Sequence, residues 1–152
     1  MIGLDIKVKN EYSNYLYKIF NGIDLKKYIW EINADDFLYS DNGDIKQNLF
    51  GSNVLKGEEF LNRISRESYY MIFTDIKAYP IGKERMEIKT LEDFSKSNCE
   101  VVLLCTDSIF IEFYSKEEQI LEKVYKNCTR ENFEKVEYLS IEDVLSRSFI
   151  AW

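Results

Sequence analysis

At 152 residues with a formal net charge of −7, the chain has the size of one domain and the wrong sign for a broad phosphate-binding footprint. Apolar residues make up 45% and aromatics 15%, with eleven Tyr and ten Phe, enough for a dense core without staples. One proline and six glycines exclude long linkers, and the absence of histidine removes the usual triads and the common zinc sites.

The first segment, MIGLDIKVK, alternates Ile2, Leu4, Ile6 and Val8 with polar residues and reads as a strand. In EYSNYLYKIFNGI, Tyr12, Tyr15, Leu16, Ile19, Phe20 and Ile23 recur at helical spacing, and Gly22 offers a stop. YIWEIN, residues 28–33, reads as a second strand. Asn42-Gly43, flanked by alternating residues, predicts a hairpin turn, since both residues tolerate positive φ. GEEFLNRIS predicts a helix with Phe60, Leu61 and Ile64 inward and acid in its first turn.

SYYMIFTDIKAYPIG, residues 68–82, reads as one central strand. Tyr69, Met71, Phe73, Asp75 and Lys77 share one face, and Tyr70, Ile72, Thr74, Ile76 and Ala78 share the other. Both faces are apolar up to residue 74, so the strand is expected to surface at Asp75 and to end at Pro80. A carboxylate there needs a partner, and Lys77 is a same-side candidate beside any cross-strand group.

Further on, Met86 and Ile88 predict a short strand, and Thr90 with Asp93 a helix cap. CEVVLLCT and IFIEFYS predict two strands joined by a tight turn at Asp107-Ser108. Ser115 and Glu118 read as a capping box for a helix whose stripe is Ile120, Leu121, Val124 and Tyr125. KVEYL is expected to be the last strand, with Ser140 capping a short helix before the tail SFIAW. The adjacent strand pairs with interspersed helices predict an α+β fold: one domain over 1–152, a largely antiparallel sheet and four to five helices.

Little of this chemistry is catalytic. The acid pairs Glu58-Glu59, Glu92-Asp93 and Glu117-Glu118 fall in first turns of predicted helices, where the helix dipole explains them. Asp35-Asp36 is a fourth pair. Cys99 and Cys105 share a strand face and have no activating histidine, and an odd cysteine count without CxxC is no disulfide framework. No cofactor or metal is implied. The longest apolar run, Val101 to Cys105, is far below the ~18 residues of a membrane span. A cytoplasmic location is therefore expected, with no nucleic-acid or membrane partner.

The acidity is spread evenly: residues 1–76 carry 9 basic and 12 acidic groups, residues 77–152 carry 11 and 15. Such a charge attracts a basic protein. YYMIFTDIKAYP and GEEFLNRIS, with the opening strand, the Tyr-rich helix and YIWEI, resemble a family of small acidic bacterial proteins grouped as a domain of unknown function. The resemblance implies a stand-alone domain and no particular reaction. In character alone the chain is also similar to immunity proteins, which neutralise basic toxins.

Three readings follow. The first is a non-enzymatic domain that binds a basic protein in an immunity or inhibitor role. The alternative is a small-molecule site or enzyme with a pocket near Asp75 and Lys77, joined by Tyr79 and Tyr69. The third is self-association through Trp152.

Overall fold

Alternation and helical stripes set most of the observed elements. The structure, a computed structural model, describes residues 1–151 apart from 36, 37, 42, 43, 48 and 67. The Asn42-Gly43 turn, Asp36 and Trp152 thus lie outside the described residues.

In chain order the elements are β1 (Gly3–Lys7), α1 (Tyr15–Phe20), a 3-10 turn (Leu25–Lys27), β2 (Tyr28–Asp35), β3 (Leu38–Asp41), β4 (Asp44–Gln47) and β5 (Val54–Lys56). Then come α2 (Gly57–Ile64), β6 (Tyr69–Tyr70), β7 (Phe73–Pro80), α3 (Leu91–Lys96), β8 (Val101–Thr106) and β9 (Phe110–Ser115). The chain closes with α4 (Glu118–Arg130), β10 (Lys135–Leu139) and α5 (Ile141–Val144).

Seven strands form one antiparallel sheet in the order β10-β1-β9-β8-β7-β2-β5. A smaller sheet runs β4-β3-β6. The architecture is α+β, as the sequence predicts.

Each face of the large sheet carries a core. On the first face Trp30 stacks on Phe60 at 4.1 Å, Phe20 meets both edge-on, and the Trp30 indole donates to the Leu25 carbonyl at 3.0 Å. Leu16 and Ile19 of α1, Phe60 and Ile64 of α2, and Leu121 and Val124 of α4 are buried in this core. On the second face lie Tyr79, Leu104, Tyr114, Phe94 of α3, Val144 of α5 and Phe149 of the tail, with Phe149 stacked on Tyr114 at 4.4 Å. Burial on both faces explains why β8, VVLLCT, is a continuous apolar run.

Several expectations need correction. Residues 68–82 are not one strand: the chain bends at Met71–Ile72, so Tyr69 and Tyr70 belong to the small sheet and β7 starts at Phe73. The cause is competition for the backbone. Tyr69 bridges to Ser13, and the Ile72 carbonyl accepts from Ser108 N–H at 3.1 Å. Nor does β7 surface at Asp75, because residues 74–79 are all buried. It is an interior strand, flanked by β8 and β2, while β8 holds the centre.

The Met86–Ile88 segment forms no strand. Ile88 is buried in the second core, and the Met86 carbonyl accepts from the Tyr79 hydroxyl at 2.8 Å, so both residues are tied without a neighbouring strand. Ser115 does not make the expected box: its hydroxyl accepts from Glu117 N–H at 3.1 Å, and α4 starts at Glu118. The Thr90–Asp93 cap and the Ser140–Asp143 capping box both form. Asp107 and Ser108 turn the β8–β9 hairpin with φ of 52° and 69°.

Candidate functional site

β7 carries Asp75, Lys77 and Tyr79 toward the second core. Asp75 stands opposite Asn33 and Leu104, and Lys77 opposite Glu31 and Val102. Among the described residues neither finds an ionic partner across the sheet, because Glu31 is taken by Arg85 at 3.0 Å. The Lys77 ammonium instead donates to Asp75 Oδ1, and both side chains are almost fully buried.

Asp75 Oδ2 has no well-formed hydrogen bond, although the backbone N–H of Ala151 in the tail also favours its charge. Burial nevertheless dominates and raises the carboxyl above the ordinary aspartate value, with the charge of Lys77 opposing it. A paired, sealed carboxylate can hold the strand to the tail. To act on a substrate it needs an opening, and none of the clefts described below is lined by Asp75, Lys77 or Tyr79.

Tyr79 lies next to this pair, fully buried, with its hydroxyl on Met86. Tyr69 does not join them and packs in the first core. Its hydroxyl accepts from Leu16 N–H at 3.1 Å and Tyr17 N–H at 3.4 Å and donates to the Ile64 carbonyl at 2.8 Å. The N-cap residue of α1, Asn14, makes no side-chain cap, so Tyr69 satisfies those amides from a distance. Asn127 does the same at the other end, donating to the carbonyls of Ile19 and Asn21.

All three cysteines are buried thiols, and burial pushes each up to about 12. At neutral pH they are not thiolates, hence poor nucleophiles. Among the described residues no group of acids and cysteines could hold a metal ion.

Two surface features escape the linear reading. Glu118 and Glu122 lie one turn apart on α4 and line a cleft of about 160 Å³ with Met1, Leu121 and Tyr138. Tyr138 is 37% exposed and stacks on Tyr125 at 4.6 Å. Its phenol is raised first by burial and then by the charge of Glu122. Among the described residues neither glutamate has a cation within ion-pair reach. Their i,i+4 spacing was the available signal, whereas Tyr138 reads as ordinary strand alternation.

The second feature is Arg147, whose guanidinium grips Asp5 with two bonds of 2.7 and 3.0 Å and Glu112 with a third of 3.2 Å. Glu112 also accepts from the Tyr114 hydroxyl. No sequence spacing marks this cluster.

Comparison with known proteins adds family membership. Residues 1–150 match the family described as "Protein of unknown function (DUF2691)". The chain belongs to the DUF2691 family. A protein of Bacillus subtilis (strain 168) described as "Uncharacterized protein YncE" is 30% identical over 142 residues, 93% of each chain. No solved structure matches. In this DUF2691 member, no helix among the described residues is long and apolar enough to cross a membrane.

Proposed function

We propose that the chain is a non-enzymatic binding domain that receives a basic protein, in an inhibitor or immunity role. The observation that carries this reading is the cleft of Glu118, Glu122 and Tyr138. Two carboxylates with no cation in ion-pair reach among the described residues sit beside an exposed aromatic ring and the apolar side of Leu121. A lysine or arginine of a partner fits this chemistry, with its stem on Tyr138 and its charge between the glutamates. β10 runs along the same side as a sheet edge, hydrogen-bonded, among the described residues, to β1 alone. The net charge of −7 steers a basic partner toward the whole molecule. A cytoplasmic setting belongs to this reading, supported by three thiols left unpaired.

The test is affinity capture from the native bacterium at low and moderate salt, with the wild type and E118Q/E122Q immobilised side by side. A basic protein retained in stoichiometric amount by the wild type, and lost from the variant, is the expected result. An empty wild-type eluate, or a partner that the variant holds equally well, overturns the proposal.

A further inference from the structure

The sheet's second face carries a cleft of about 400 Å³ where β1, β9 and β10 meet the segment after α5. Its functional side chains are Asp5, Lys7, Phe110, Glu112, Lys135 and Arg147. The sheet register stacks them in two rungs. In one, Asp5 stands between Glu112 and Glu137; in the other, Lys7 stands between Phe110 and Lys135.

Both rungs place like charges directly opposite each other, which destabilises a sheet. The acidic rung is resolved within the protein, because Arg147 bridges Asp5 and Glu112. The lysine rung is offset only by longer ion pairs. Lys7 Nζ lies 3.7 Å from Glu134, and Lys135 Nζ lies 3.6 Å from Glu137 and 4.0 Å from Asp5. All three contacts exceed hydrogen-bond length. Among the described residues, then, neither ammonium donates a hydrogen bond. Beside them the Phe110 ring is 49% exposed, with Lys7 Nζ 5.8 Å from its centre.

We propose that this cleft binds a small organic anion, a carboxylate or phosphate joined to a flat apolar group. The anionic head bridges Lys7 and Lys135 and accepts from each the charge-assisted hydrogen bond that the longer ion pairs leave unmade. The flat group lies on Phe110, where ring burial adds affinity. Arg147 pairs with Asp5 and Glu112 on the cleft floor, which lessens their repulsion of the head. The volume falls in the ordinary range for small-molecule sites. This site is separate from the α4 cleft, and neither proposal depends on the other.

The probes are phenyl phosphate, benzoate and inorganic phosphate, titrated into the full chain at low salt. Amide chemical shifts of β1, β9 and β10 report the place, and calorimetry reports the affinity. Saturable binding of phenyl phosphate or benzoate is expected, roughly tenfold tighter than inorganic phosphate. Which of the two binds better assigns the head group. K7Q/K135Q is expected to keep the fold, by its circular dichroism and melting curve, and to lose about tenfold or more in affinity. F110A is expected to lose only the preference for the aromatic probes. The proposal is overturned by no saturable binding of either aromatic anion at millimolar concentration. Equal affinity in K7Q/K135Q, or no preference over inorganic phosphate, overturns it too.

Discussion

Lys77 donates to Asp75 within a single strand, two residues away on the same face, with both side chains sealed inside the protein. Charges taken out of water in this way depend on each other. Removing one leaves the other buried and uncompensated, whereas removing both leaves an apolar gap that repacks.

The expected result is therefore non-additive. Asp75→Leu and Lys77→Met should each cost about 3–5 kcal/mol, and the double variant less than either single change. Urea unfolding of all four proteins checks this. Additive losses would mean that the pair is not a coupled unit.

Gly57 opens α2 against the 3-10 turn. A Cβ there would sit 2.1 Å from the Leu25 carbonyl oxygen and 2.5 Å from Lys26 Cα, both backbone atoms that have little room to yield. Gly57→Ala should cost about 1–3 kcal/mol by overpacking, although alanine is the better helix former. Gly82→Ala is the contrast. It meets nothing within 4 Å and should lose only about 1 kcal/mol, from its φ of +84°. Melting temperatures should rank the two in that order.

Cys99, Cys105 and Cys128 should resist a water-soluble disulfide reagent at pH 8 in the native protein and all react in denaturant. Burial withholds both access and the thiolate, since each thiol is pushed up to about 12. Rapid native labelling of any of the three would contradict this burial.

Acid stability should divide by carboxylate. Asp93 accepts from Lys89 N–H at 2.9 Å, and Asp143 accepts from Ser140 N–H at 2.7 Å, which holds both below the ordinary aspartate value of 3.8. Their folded forms release protons more readily than the unfolded chain does. Their stabilisation is therefore present above 3.8 and lost as pH falls through their folded values. Asp75 works in the opposite sense. Its folded value is raised, so its contribution falls as pH rises from 3.8 through that raised value. D93N/D143N should flatten the loss of stability on acidification, and D75N should not. Melting curves taken at a series of pH values distinguish the two.

Much of this fold is legible in the sequence, because local pattern and tertiary role agree. Leu4 and Ile6 alternate, Leu121 and Val124 face one way, and Asp107-Ser108 tolerates the left-handed region. The failures lie where a distant partner overrides a local pattern. Nothing in YYMIF marks a bend, since its residues are equally apolar on both faces. Ser13, Ser108 and β3 impose the break from elsewhere in the chain. The Lys77–Asp75 pairing is readable from its i,i+2 spacing, but its depth is not, because that depends on the tail. Arg147 meets Asp5 across 142 residues of chain, so no spacing rule reaches it.

The strand order also constrains synthesis. β1 is made before β9 and β10, the strands that flank it in the sheet among the described residues. Its backbone donors and acceptors must stay hydrated until Phe110 and the residues beyond it emerge. The β10-β1-β9 end of the sheet is thus expected to close late in folding, dependent on distant chain contacts.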